Sequence, residues 1–259
     1  MQHRAKKSLG QNFLKSEAAL RKIIEAGEIN SNDVVLEIGP GKGALTKKLL
    51  EKSGQVIAVE KDKELFEFLK IKFEKEINSH SLTLVNGDIL EFNSSAYGLK
   101  INAYKVIANI PYNITGAILK KFLTTKSQPE RMVLLVQQEV AERIVTRDSK
   151  ESILSISVKA YGTPKIVMKV GKRYFSPMPK VDSAVISIKN ISREIFKKES
   201  VDEEKFWQIV KAGFAHKRKK VSSNLKNILK KMDKTSISEL GDKRAENLTL
   251  TDWISLSKS

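Results

Sequence analysis

The chain has no cysteine among its 259 residues, only three histidines (His3, His80 and His216), two tryptophans and six prolines. Without thiols it has no disulfide, thiol nucleophile, thiolate zinc centre or iron–sulfur cluster. Three scattered histidines argue against an all-histidine metal centre, so no metal is expected. No stretch approaches the roughly 18 consecutive apolar residues of a membrane-spanning helix, and the mean hydropathy of −0.30 agrees with this. The basic start, Met1-Gln2-His3-Arg4-Ala5-Lys6-Lys7, leads into no apolar segment. That argues against secretion and for a cytoplasmic protein without a membrane partner.

Acidic residues are also in short supply, 30 against 47 Lys and Arg, for a net charge of +17. Residues 1–22 carry six bases and one acid, 143–180 nine and two, and 211–234 nine and one. These three segments hold a charge of +20, and the remaining residues sum to −3. Basic charge gathered in blocks beside a near-neutral remainder is the footprint of a polyanion, here nucleic acid rather than an anionic membrane.

The length exceeds the roughly 100–200 residues of a usual domain, which predicts a large domain and a smaller one. Ser16 is placed to cap a helix whose apolar stripe, Ala18, Ala19, Ile23 and Ile24, ends at Gly27. Short apolar runs follow at 34–38, 55–59, 82–85, 105–108 and 132–136, separated by helical patterns, among them 62–76, a segment after Thr115, and 139–145. Continuous Val/Ile runs alternating with helices predict a doubly wound parallel α/β sheet, Rossmann-like, with both faces covered. Past Lys150 the pattern changes to strands at 166–170 and 182–188 around the loop Tyr174-Phe175-Ser176-Pro177-Met178-Pro179. Beyond about residue 192 every apolar pattern is helical, which predicts a small all-α domain ending in a helix at 248–256, with Thr251 as its cap.

Ligands on such a sheet bind beyond the carboxyl ends of the strands. The first strand opens into Glu37-x-Gly39-x-Gly41-x-Gly43. Glycines there permit a tight turn and close approach of a ligand. The spacing is neither the G-x-G-x-x-G of dinucleotide-binding proteins nor a phosphate-binding Gly-Lys-Ser/Thr. Glu60 ends the second strand, where it can accept hydrogen bonds from ribose hydroxyls. Asp88 ends the third, where it can accept from an adenine amino group. Taken in order, these point to an adenosine-containing cofactor.

At the end of the fourth strand stands Asn109-Ile110-Pro111-Tyr112. The Asn109 side-chain oxygen and the Ile110 carbonyl can each accept one hydrogen of an exocyclic amine. Two such bonds favour tetrahedral nitrogen and free its lone pair for attack on a methyl sulfonium. Pro111 stiffens the turn and Tyr112 offers a face on which a base stacks. Gln137, Gln138 and Glu139, after the fifth strand, read chiefly as a helix start.

Asn-Ile-Pro-Tyr resembles the signature of S-adenosylmethionine-dependent amino methyltransferases. With it stand Gly10-Gln11-Asn12-Phe13-Leu14, the segment 37–43, and Phe175-Ser176-Pro177-Met178-Pro179-Lys180-Val181-Asp182-Ser183-Ala184-Val185. Together they resemble the ribosomal RNA adenine N6-dimethyltransferases of the small-subunit type, from about Lys6 to the C-terminal helices. The resemblance implies dimethylation of two adjacent adenines in the 3′-terminal hairpin of 16S rRNA, in an immature small subunit, by base flipping and direct methyl transfer. It implies S-adenosyl-L-methionine contacts at Asn12, Leu14, Gly39, Gly41, Glu60, Asp88 and Asn109, and catalytic positions at Asn109, Ile110, Pro111, Tyr112 and Phe175, with Tyr112 and Phe175 sandwiching the base. It places the cofactor-binding catalytic domain at 1–191 and a helical RNA- or ribosome-binding domain at 192–259. Lys217, Arg218, Lys219, Lys220 and Lys226, with Lys230 and Lys231, would grip phosphates, and the expected state is a monomer. Three rivals share parts of this pattern. They are 23S rRNA adenine methyltransferases of the macrolide-resistance group, a non-catalytic assembly factor on the same fold, and a DNA adenine methyltransferase.

Overall fold

The computed structural model describes residues 4–145, 150–229 and 240–258. Its strands are β1 (Phe13–Leu14), β2 (Val34–Ile38), β3 (Gln55–Glu60), β4 (Leu82–Asn86), β5 (Lys105–Asn109), β6 (Arg131–Gln137), β7 (Thr163–Val170), β8 (Phe175–Ser176) and β9 (Ser183–Lys189). The helices are α1 (Glu17–Gly27), α2 (Ala44–Leu50), α3 (Lys63–Lys72), α4 (Glu74–Asn78), α5 (Thr115–Thr124) and α6 (Gln138–Val145). They continue with α7 (Ile153–Lys159), α8 (Glu194–Lys198), α9 (Glu203–Gly213), α10 (Val221–Leu229) and α11 (Leu250–Lys258).

Seven strands form one sheet in the order β4-β3-β2-β5-β6-β9-β7. The pairs from β4 to β6 are parallel, as the uninterrupted apolar runs predict, and β9 joins β6 antiparallel. Val35, Leu36, Val56, Ala58, Val106, Ile107, Val133 and Leu134 are wholly buried or nearly so, because helices cover both faces of these strands. The order reverses between β2 and β5, and it is beyond this switch point that the chemistry-bearing turns gather.

Two expected helices differ in detail. The segment 62–76 is broken at Phe73 into α3 and α4, with Asp62 as the cap of the first. Phe73 is buried in the sheet-facing cluster, and a Cβ on Gly43 (φ +77°) would meet its ring, so the break and the glycine turn pack as one unit. The last helix is capped by Thr249, not Thr251. The Thr249 hydroxyl accepts from the Asp252 N–H at 3.2 Å while the Asp252 carboxylate accepts from the Thr249 N–H at 2.8 Å. That reciprocal pairing satisfies two end groups at once and draws the start of the helix to Leu250.

The chain divides into two compact units. The first comprises 1–141 and 164–191; the second comprises 142–163 and 192–259, so it takes in α7 as well as the C-terminal helices. In the second unit Tyr161 stacks on Trp207 and packs against Phe196, its hydroxyl donating to Glu203. Trp253 of α11 lies so close to Gly213 of α9 that a Cβ there would enter its ring. Among the described residues no helix is long and apolar enough to cross a membrane.

Candidate active site

The turns after β2, β3, β4 and β5 surround a cavity of about 370 Å3, within the size range of small-molecule sites. Its lining includes Asn12, Leu14, Gly39, Gly41, Glu60, Asp88, Asn109, Ile110, Pro111 and Tyr112, which were singled out from sequence and which the fold brings together.

The glycine turn is shaped by the acids around it. The Gly41 N–H donates to Glu60 Oε2 at 3.0 Å, and the Asp62 N–H donates to Oε1 at 2.8 Å. Both Glu60 oxygens are thus held in place by backbone donors on the cavity lining. Burial raises the Glu60 carboxyl above its ordinary range, against the pull of those backbone donors. Gly39 has φ +64°, and a Cβ built on it would touch nothing within 4 Å. The space above it is therefore room for a ligand. Asp88 accepts from the Leu90 N–H and pairs with Lys61 at 2.7 Å, which holds its carboxyl below the usual range and keeps it an acceptor. On the lining, Glu37 is 1 % exposed and its Oε2 has no hydrogen-bond partner. Burial, with the Glu60 charge nearby, pushes its pKa to about 8.

One wall is supplied by a strap, residues 6–15, that crosses the strand ends. β1 pairs antiparallel with β8, Phe13 opposite Ser176 and Leu14 opposite Phe175. Lys6 Nζ and Gln11 Nε2 both donate to Asp62, each at 2.8 Å. Burial pushes the Asp62 carboxyl up, but Lys6, Gln11 and the Glu64 N–H outweigh this and hold it low. The Asn109 side-chain nitrogen donates to the Asn12 carbonyl at 3.0 Å. Sequence reasoning missed Asp62 as a latch, because as a helix cap it already has a local explanation. The clue was an acid two residues after Glu60, the position expected to meet a ribose, in a chain with a basic N-terminal segment.

On the same lining, the Asn109 oxygen and the Ile110 carbonyl receive no hydrogen bond among the described residues. Tyr112 is half-buried, and its hydroxyl is hydrogen-bonded to Ser183 Oγ at 2.6 Å. Burial raises its pKa, so the hydroxyl stays protonated.

Phe175 departs from the expectation. It is 2 % exposed in the core cluster with Leu14, Ala19, Ile23 and Val185, and it is Ser176 that lines the cavity. Pairing with Leu14 turns the Phe175 ring into the core, so no sandwich around a base is formed from these two rings here.

In the second unit, Lys217, Arg218, Lys219 and Lys220 are all exposed in the turn between α9 and α10, and Lys226 is exposed on α10. The Asn224 side chain braces this turn by donating to the Gly213 and His216 carbonyls. Lys220 pairs with Asp242 at 2.8 Å. Lys230 and Lys231 lie outside the described residues.

The unpartnered Glu37 oxygen, the open space over Gly39, and the carboxylates of Glu60 and Asp88 fit an adenosyl group carrying a cationic tail. The fold is that of an S-adenosylmethionine-dependent methyltransferase. The family described as ribosomal RNA adenine dimethylase matches residues 2–259, and the chain belongs to that family. A ribosomal RNA small subunit methyltransferase A from Fusobacterium nucleatum is 40% identical over 268 residues, covering 100% of this chain and 98% of that protein. One from Dehalococcoides mccartyi strain CBDB1 is 39% identical over 256 residues, covering 96% and 86%. Among solved structures, a dimethyladenosine transferase from Plasmodium falciparum is 27% identical with a TM-score of 0.79, covering 94% of this chain and 95% of that one. The 23S rRNA methyltransferase ErmE, 23% identical, shares the fold with a TM-score of 0.73 over 95% of this chain and 98% of its own.

Proposed function

We propose that this chain dimethylates N6 of two adjacent adenines in the 3′-terminal hairpin of 16S rRNA, on the immature small subunit, late in ribosome assembly. It does so as a cytoplasmic monomer. The observation that carries the chemistry is the pair of acceptors without a hydrogen bond among the described residues, Asn109 Oδ1 and the Ile110 carbonyl, on the cavity lining with Tyr112. The choice of the small subunit rests on relatives 38–40% identical over nearly the whole chain that bear that name.

S-adenosylmethionine, when bound, supplies an electrophilic methyl group on a sulfonium. Gly39, Gly41, Glu60 and Asp88 hold its adenosyl part, and Asn12 and Leu14 close over it from the strap. Tyr112 takes the flipped adenine on its ring; such stacking is worth about 1–3 kcal/mol and helps offset the few kcal/mol of extrusion. Asn109 and Ile110 accept the two N6 hydrogens and turn the nitrogen lone pair toward the methyl carbon. The methyl group would pass from the sulfonium to that nitrogen, the sulfur keeping the bonding pair and one N6 proton going to solvent. No strong base is required. Lys217, Arg218, Lys219, Lys220 and Lys226 hold RNA phosphates, which supplies affinity and orientation without reading sequence.

The test is methyl transfer from labelled S-adenosylmethionine to unmethylated small and large subunits in parallel, with modified bases identified by mass spectrometry. Dimethyladenosine confined to small-subunit RNA is expected. Label in the large subunit overturns the substrate, and no label with cofactor still bound overturns the activity.

A further inference from the structure

Beside the cofactor cavity lies a second cleft of about 380 Å3, lined by Gly10, Asn12, Tyr112, Asn113 and Gln137. Four of these five also line the cofactor cavity; Gln137 is the residue the cleft adds. It ends β6 directly opposite Ser183 of β9. Directly opposed residues of an antiparallel pair present their side chains on one face, with Cβ atoms about 4.5–5.5 Å apart. Ser183 is the residue that holds the Tyr112 hydroxyl at 2.6 Å. Gln137 therefore stands on the Tyr112 side of the sheet end.

Gln137 is half-buried, and its side-chain amide makes no hydrogen bond among the described residues. Its neighbour Gln138 is engaged through its backbone, donating to the Asp182 carbonyl at 3.0 Å. A half-buried amide with no protein partner is open to an acceptor on a ligand, and a ligand that covered it without supplying one would lose about 1–3 kcal/mol. The surroundings point to what that partner is. In this cleft Tyr112 offers a stacking face, and on the adjoining cavity Asn109 and Ile110 are the acceptors proposed for the amine hydrogens. The remaining polar atom next to the amine-bearing carbon on the Watson–Crick edge of adenine is N1, a pure acceptor. A glutamine amide is a donor of the required kind.

We infer that Gln137 reads the target base: its side-chain amide donates to N1 of the adenine stacked on Tyr112 and fixes that base in the plane where N6 meets Asn109 and Ile110. This rests on the proposed adenine N6 methylation. It adds a second polar contact on the same edge, so that an amine alone does not suffice.

The experiment is a double-substitution cycle with the full-length protein. Small subunits are reconstituted with 16S rRNA carrying adenosine or 1-deazaadenosine at the target position, which replaces N1 by C–H. Gln137→Ala is expected to lower kcat/KM on the natural base about tenfold, and Gln137→Glu further, because a carboxylate opposes an acceptor. The 1-deaza base is expected to cost the wild type about the same factor and to cost Gln137→Ala almost nothing more. Cofactor affinity, measured by calorimetry, stays unchanged in both variants because Gln137 does not line that cavity. Losses that multiply independently overturn the role of Gln137 while leaving the methylation intact. A wild-type protein that gives no N6-methyladenosine on the natural base overturns the underlying reading, and the inference with it.

Discussion

The Asn109 side-chain nitrogen donates to the backbone carbonyl of Asn12 at 3.0 Å, across 97 positions of sequence. That bond decides which end of the amide is engaged. With the nitrogen engaged, the oxygen is left as the acceptor, and the same bond ties the strap to the reacting corner. Asn109→Ala is expected to lower kcat about 100-fold or more, the scale of losing one oriented polar group in an active site. Asn109→Asp keeps an acceptor but turns the approach to the Asn12 carbonyl repulsive, so it should also weaken cofactor binding. Single-turnover rates and calorimetric affinities separate the two effects.

Tyr112 and Ser183 form a second such pair. Ser183→Ala leaves the half-buried phenol without its partner, and a stability loss of about 1–3 kcal/mol is expected. Adding Tyr112→Phe in that background should restore part of the loss, a non-additivity that denaturant unfolding of the three variants would reveal. Tyr112→Ala removes the proposed stacking face and is expected to abolish turnover.

The strap latch makes a kinetic prediction. Asp62→Asn exchanges a carboxylate bonded to Lys6 and Gln11 for a neutral amide. Cofactor release is expected to accelerate about tenfold, a change of about 1.4 kcal/mol, measurable by stopped-flow displacement. The Asp62 carboxyl is held below its unfolded value. Its stabilising contribution is therefore complete above the ordinary aspartate range and is lost as pH falls through the depressed folded value.

Glu37 has the opposite sign. Burial pushes its pKa to about 8 in the folded protein, against 4.5 for the free group. The folded state then holds a proton that the unfolded state releases, so stability drains away as pH rises from about 5 to about 8. Glu37→Gln, which carries no such proton, should flatten that decline. Thermal unfolding of both proteins across this range tests it; parallel curves would remove the buried acid as the cause.

The basic turn is tested by salt. Replacing Lys217, Arg218, Lys219 and Lys220 by Gln should weaken RNA binding while leaving cofactor affinity intact. The slope of log K against log salt should become shallower by roughly 0.7–0.9 for each phosphate that these side chains no longer neutralise. An unchanged slope would remove the assignment.

Much of this was legible because it is written in short-range pattern. The runs at 34–38, 55–59 and 105–108 needed only continuous apolar character to be read as covered parallel strands. The strand-end positions of Glu60, Asp88 and Asn109 then followed from where those runs stop. Helix ends were less legible, as at Thr249, because the competing cap two residues later satisfies the same local rule and only the Asp252 partner separates them.

What the residues determined by themselves was the alternation of elements, the glycine turn, and the chemistry of the strand ends, since period and residue type are local properties. The tertiary structure alone decided the rest. It paired Leu14 with Phe175 and thereby turned a ring expected at the base into the core. It gave Asp62 two hydrogen-bond donors from the strap, and it placed Gln137 beside Ser183 and Tyr112. These pairings join residues tens to more than a hundred positions apart. No periodicity encodes which distant strand edge or side chain will be nearest once the sheet has closed.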